Sequence, residues 1–225
     1  MEAQPAIIIG YVENYEYSPR LRQLAQTAVA NGAFLICADA GGAVAHAWGL
    51  KPDLLLGDMD SIEPQILARL EADGVPCQKF PVAKDETDLE LAIIAGLERG
   101  CRQLRILGGI GGRLDQTLGN LFLLSLSRLT EVGAELRMTG EQEEIRLLRA
   151  TSNLKIEGEA GDVVSLLAAT AQVTGIRTAN LLYPLHDETL FFGSTRGISN
   201  VIRASPAQVS IQEGLLFIIH RFGQS

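Results

Sequence analysis

The sequence predicts an α/β protein in which an N-terminal, mainly parallel sheet flanked by helices is followed by a small C-terminal antiparallel β-sandwich. Three observations carry this. From Ala6 to about Arg149 short aliphatic runs alternate with longer amphipathic stretches, after Ala150 the helical period stops, and most of the predicted strands of the first region run into acidic or glycine-rich residues. Alternating strand and helix implies parallel pairing with helices on both faces, whereas short strands punctuated by turn residues imply antiparallel pairing.

In chain order, Ala6 to Ile9, Ala33 to Cys37, Asp53 to Leu56, Gln103 to Leu107 and Ala134 to Met138 read as buried strands. Between them Pro19 to Asn31, Ile62 to Asp73, Glu86 to Arg99 and Leu114 to Leu129 read as helices, and Gly32, Gly74 and Gly100 suit their C-terminal caps. The second region offers Leu154 to Ile156, Val163 to Leu167, Ala171 to Val173, Thr189 to Phe192, Gln208 to Ile211 and Leu215 to Ile219 as strands. No Ser- or Pro-rich linker separates the regions, so the expected domains are 1–150 and 151–225, with the boundary near Thr151.

Composition narrows the function. A chain of 225 residues that is 47% apolar and 20% charged buries a real core, which excludes a disordered or fibrous protein. Its longest apolar stretches fall far short of the roughly 20 residues that span a bilayer, so no membrane partner is expected. Met1 to Gly10 lacks the basic and apolar regions of a secretory signal, and Cys37, Cys77 and Cys101 are odd in number without metal-type spacing. Together these predict a soluble cytoplasmic product with reduced thiols. The formal net charge of -8 argues against general binding to nucleic acid. Acidity is concentrated in residues 1–150, with 21 acids against 14 bases, while residues 151–225 hold 6 against 5.

Ligands of open α/β sheets bind at the carboxyl ends of strands, and the acids gather there. Ala38-Asp39-Ala40-Gly41-Gly42 follows the second predicted strand, Gly57-Asp58-Met59-Asp60-Ser61 the third, and Gly108-Gly109-Ile110-Gly111-Gly112-Arg113-Leu114-Asp115 the strand ending at Leu107. Lys84-Asp85-Glu86-Thr87-Asp88 opens a helix. Lone acids at helix starts are commonly caps, and glycines commonly just permit turns. Asp58 and Asp60 resist that reading, because like charges two residues apart repel unless a cation lies between them. Carboxylates without His or thiolate select Mg²⁺, glycine turns near helix N-termini suit phosphate, and Arg113 supplies a planar fork. Together the four segments point to Mg²⁺-assisted chemistry on a polyphosphate.

In these segments, and in Asn180-Leu181-Leu182-Tyr183-Pro184-Leu185 and Gly197-Ile198-Ser199-Asn200, the chain resembles the thiamine pyrophosphokinase family, in order and over nearly its whole length. The resemblance implies an α/β ATP-binding domain, a β-sandwich, and a homodimer with thiamine sites where subunits meet. It implies diphosphate transfer from ATP to the thiamine hydroxyl, giving AMP. It carries catalytic roles to Asp58, Asp60, Asp88, Arg113 and Asp115, with Mg²⁺ on Asp58, Asp60 and Asp88. ATP contacts fall to Asp39, Gly41, Gly42, Lys84, Asp85, Thr87, Gly109, Gly111 and Gly112, and thiamine contacts to Tyr183, Ser199 and Asn200.

Two departures stand out. Gln116 occupies a position where the family usually has His, and the family's Asp-Gly-Gly turn is Asp39-Ala40-Gly41-Gly42 here. Two enzymatic alternatives remain open at this point: diphosphate transfer to another alcohol such as a pterin, and an aspartyl-nucleophile phosphatase built on Asp58-Met59-Asp60-Ser61. A nucleotide-binding regulatory module without turnover is the non-enzymatic alternative.

Overall fold

The structure, a computed structural model, describes residues 3–223. The chain forms two compact units, Met1–Glu141 and Gln142–Ser225.

The first unit runs β1 (Ala6–Ile9), α1 (Pro19–Ala30), β2 (Phe34–Ala38), α2 (Gly41–Ala47), β3 (Leu54–Gly57), α3 (Pro64–Ala72), β4 (Cys77–Lys79), α4 (Asp88–Glu98), β5 (Gln103–Leu107), α5 (Leu114–Leu123), α6 (Ser127–Glu131) and β6 (Glu135–Thr139). Its strands pair in the order β6-β5-β1-β2-β3-β4, all parallel. The aliphatic runs explain this arrangement: Ile8, Ile36, Leu55, Leu56, Ile106 and Leu107 are wholly buried, as strands covered on both faces must be. The chain winds from β1 through β2 and β3 to β4, then crosses back to place β5 on the other side of β1. That reversal makes the carboxyl ends of β1 and β5 the topological switch point, where an open sheet leaves a crevice.

The five strands and four helical stretches expected here are present, with Gly32, Gly74 and Gly100 at positive φ just past helix ends. Three details differ. Helix α2 is not among the expected elements, since it opens with two glycines, yet Gly41 is required: a Cβ there would lie 2.0 Å from the Ile9 carbonyl oxygen. Strand β4 is three residues of mostly polar edge, too short for a period to register. The stretch expected as one helix to Leu129 is two, with Ser125 Oγ donating to the Phe122 carbonyl at the break.

The second unit contains β7 (Glu143–Arg149), β8 (Asn153–Ile156), β9 (Val163–Ala168), β10 (Gln172–Ala179), β11 (His186–Phe191), β12 (Asn200–Val201), β13 (Ala207–Ser210) and β14 (Leu215–Arg221). Within it the antiparallel sheets are β12-β9-β14-β7 and β11-β10-β13-β8. Strands β9 and β14 alternate strictly between buried and part-exposed residues, and Val164, Leu166, Leu216 and Ile218 meet Val173, Ile176 and Val209 of the other sheet in one core. The unit begins ahead of Thr151 because β7 pairs with β14 along its whole length. Strand β10 is longer than Ala171 to Val173 suggests. Gly175, at φ 65°, sits at a register shift that interrupts the two-residue period.

Candidate active site

The acidic segments converge at the switch point. A cleft of about 320 Å³ is lined by Asp39 from the end of β2, Asp58 from the end of β3, Lys84, Thr87 and Asp88 from the start of α4, and Gly109 after β5. Gly10 and Tyr11, which follow β1, and Gln116 and Asn120 of α5 also line it. Thr87 caps α4, its Oγ1 accepting from the Glu90 N–H at 3.2 Å, so Asp88 is held in the first turn where the helix dipole favours a negative charge.

Oxygens of Asp39, Asp58 and Asp60 lie within 4.8 Å of one another. The local backbone enforces this. Asp39, at φ 45°, donates its N–H to the Leu56 carbonyl at 2.8 Å, which ties the end of β2 to β3. Asp58 Oδ1 accepts the Asp60 N–H at 3.1 Å across Met59, itself at φ 66°. Asp60 is exposed and accepts from Ser61 Oγ at 2.9 Å. The Oδ1 of Asp39 is buried and, like Asp88 Oδ1, accepts no hydrogen bond from the described residues. Burial, and then the charges of Asp58 and Asp88, push its carboxyl above the ordinary range. A buried carboxylate oxygen without a donor, facing two more acids, fits a hard divalent cation.

The trio differs from the expected set of Asp58, Asp60 and Asp88. Asp88 shares the cleft, but its Oδ1 is 3.1 Å from Lys84 Nζ in an ion pair with both side chains largely covered. Lys84 therefore places a cation in the cleft wall, paired with Asp88. Asp85 is exposed and outside the lining. Gly41 and Gly42 are buried against β1 and Leu55, which makes them packing residues of α2. Gly111 and Gly112 turn beside Glu13 and Tyr11. Arg113 lies outside the cleft lining, in an exposed bidentate pair with Asp115, with Nε to Oδ1 at 3.1 Å and Nη2 to Oδ2 at 2.6 Å. That partner raises the guanidinium and holds the Asp115 carboxyl below its usual range.

In the β-unit a second cavity of about 180 Å³ is lined by Leu166, Tyr183, Pro184, Leu185, Arg196, Gly197, Ile198 and Asn200. Asn200 is buried, and its amide is occupied: Oδ1 accepts from the Tyr183 N–H at 2.9 Å and Nδ2 donates to the Tyr183 carbonyl at 2.6 Å. It clamps the backbone that presents the Tyr183 ring, which is 63% exposed. Ser199, at φ 63°, donates its N–H to Ser165 Oγ at 3.1 Å and lies outside the lining. Phe191 and Phe192 are 56% and 70% exposed while Leu181 is in the core, so the aromatic residues of this unit do not fill its sandwich.

Gly10, Tyr11 and Asn120 escaped the sequence reading. Asn120 carried a usable signal, since it falls three residues before the buried Leu123, where the helical period calls for an apolar residue.

Known proteins match both units. The family profile "Thiamin pyrophosphokinase, catalytic domain" covers residues 25–134, and "Thiamin pyrophosphokinase, vitamin B1 binding domain" covers residues 151–216. The thiamine pyrophosphokinase of Bacillus subtilis (strain 168) is 29% identical over 171 residues, spanning 76% of this chain and 79% of its own. The crystal structure of a Bacillus subtilis thiamine pyrophosphokinase superposes with a TM-score of 0.85 at 26% identity, over 98% of this chain and 100% of the other. That of Geobacillus thermodenitrificans thiamin pyrophosphokinase gives a TM-score of 0.83 at 24% identity, over 99% of each chain, a likeness of fold.

Proposed function

The chain belongs to the thiamine pyrophosphokinase family, and from that premise we propose how its residues carry out the transfer of diphosphate from ATP to the hydroxyl of thiamine. Both family matches point to this reaction and neither to the pterin or phosphatase alternatives. The observation that carries the reading is the trio of carboxylates at the switch-point cleft, with a buried Asp39 oxygen that no protein donor satisfies.

Asp39, Asp58 and Asp60 would hold Mg²⁺, and the bound ion would neutralise charge on the transferred phosphates. Lys84 meets the polyphosphate from the start of α4. The hydroxyl oxygen of thiamine attacks the β-phosphorus, the bond from that phosphorus to the α,β-bridging oxygen breaks, and AMP leaves with that oxygen. We assign the hydroxyl proton to Asp88, because it lines the same cleft and lies outside the carboxylate trio read as the ligand set. Such chemistry needs little covalent participation from protein, so alignment and charge stabilisation carry the rate. Arg113 is an exposed cation beside the glycine turn, and exchange of its Asp115 partner for the substrate's phosphates is consistent with the low worth of an exposed ion pair.

Tyr183 would lay its ring against the cationic thiamine, the use of an aromatic face that a ligand cation favours. Its exposure, with that of Phe191 and Phe192, supports a homodimer in which a second copy covers this face. The test is the product formed when ATP, Mg²⁺ and thiamine are mixed with the chain. AMP and thiamine diphosphate in equal amounts support the reading. ADP, or phosphate released without thiamine modification, overturns it.

A further inference from the structure

The glycine-rich turn after β5 poses a problem of conformational freedom. Gly108, Gly109, Gly111 and Gly112 all adopt positive φ, between 65° and 97°, and nothing in their covalent structure prevents the intervening peptides from flipping. Its first two residues are secured by backbone bonds, Gly108 N–H to the Thr139 carbonyl and Gly109 N–H to the Tyr11 carbonyl. The middle is held by side chains of α5. Asn120 Nδ2 donates to the Gly109 carbonyl at 2.9 Å, and Thr117 Oγ1 donates to the Gly111 carbonyl at 3.1 Å.

We infer that Thr117 and Asn120 are positioning residues for nucleotide binding, a latch that fixes the direction of the peptides Gly109-Ile110 and Gly111-Gly112. Because C=O and N–H of a trans peptide point in opposite directions, tethering each carbonyl to α5 turns the Ile110 and Gly112 N–H groups away from that helix. A flip at Gly109 would instead release a carbonyl oxygen beside a cleft that already holds Asp39, Asp58 and Asp88, and would repel an anionic ligand. Thr117 and Asn120 are three residues apart, so they share one face of α5, and both reach the same turn. Neither residue is among the expected contacts, although Asn120 lines the cleft. Thr117 is moreover outside the cleft lining, so any effect of its hydroxyl on the nucleotide has to pass through the turn.

This inference rests on the reading of the cleft as an ATP site, and its test separates the two. ATP affinity of the full chain is measured with Mg²⁺ by calorimetry, alongside KM for each substrate, in wild type, Thr117→Val, Thr117→Ser and Asn120→Ala. Loss of one hydrogen bond predicts a rise of roughly fivefold in Kd and KM for ATP in Thr117→Val and in Asn120→Ala. KM for thiamine stays within about twofold of wild type, and Thr117→Ser returns to the wild-type affinity for ATP. Should Asn120→Ala fail to fold, the Thr117 pair decides alone. An unchanged ATP affinity in Thr117→Val, or equal rises for both substrates, overturns the latch. A wild type that binds ATP but forms no AMP overturns the functional reading and leaves the latch to be judged by affinity.

Discussion

Two covered aspartates, one in each unit, behave in opposite ways. Asp162 in the β-unit is buried and fully partnered: its Oδ1 accepts from the Gly223 N–H at 2.8 Å, and its Oδ2 from the Glu159 N–H at 3.0 Å and His220 Nε2 at 2.8 Å. Burial pushes its carboxyl up, but the N–H groups of Gly223 and Glu159 and the His220 ring together hold it below the ordinary range. Asp39 in the cleft has an oxygen with no donor and acids for neighbours, and its carboxyl is raised. One site is satisfied by the chain itself, and the other keeps an oxygen that no donor among the described residues meets. A half-satisfied acid is what a fold tolerates where it binds, and a saturated one is what it builds where it must hold shape.

The largest way to break this contrast is to remove a cleft charge. Asp58→Asn keeps an oxygen to accept the Asp60 N–H and takes away one ligand of the trio, so AMP formation at ordinary Mg²⁺ should fall roughly a hundredfold or more. Full activity would return the trio to an ordinary solvated acidic surface.

A second prediction asks whether the β-unit also carries function beside its saturated acid. Tyr183→Ala should raise KM for thiamine about tenfold, on the scale of a lost cation–π and stacking contact, with KM for ATP nearly unchanged. Equal effects on both would make Tyr183 a support of the fold.

The third, smaller effect sharpens the structural side. With a lowered carboxyl, Asp162 contributes stability that is complete above the ordinary carboxylate range and is lost as pH falls below that range through its lowered folded value. Asp162→Asn should lower the melting temperature by about 5 °C at pH 7, from roughly 2 kcal/mol of charge-assisted hydrogen bonding, with activity of the folded fraction preserved. Melting curves at pH 7 and at a pH below the ordinary carboxylate range check it, because the gap to wild type has to narrow there.

How much of this the sequence discloses depends on distance along the chain. Asp58 and Asp60 adjoin each other after an apolar strand, and Lys84 to Asp88 form one segment at a helix start, so both are legible as chemistry. The partner of Asp58 and Asp60 is not. Asp39 joins them because β2 and β3 are neighbours in register, with the Asp39 N–H on the Leu56 carbonyl, a pairing set by topology. That pairing is why Asp39, and not the expected Asp88, has an oxygen within 4.8 Å of those of Asp58 and Asp60.

In the β-unit the core is legible from its two-residue period, but the outward direction of Tyr183 is set by the Asn200 clamp, 17 residues on. Asp162 and His220 lie 58 residues apart, beyond any local pattern.

The central claim is that the cleft acids are held in repulsion for a ligand, and the melting temperature of Asp39→Asn in the presence of a chelator tests it most directly. Because the Asp39 carboxyl is raised, its ionisation costs stability, and that cost appears as pH rises out of the ordinary carboxylate range. At pH 8 without metal the variant should therefore melt at the wild-type temperature or up to about 3 °C above it, although it loses AMP formation. A drop of several degrees would contradict the account, because it would show Asp39 stabilising the fold as Asp162 does.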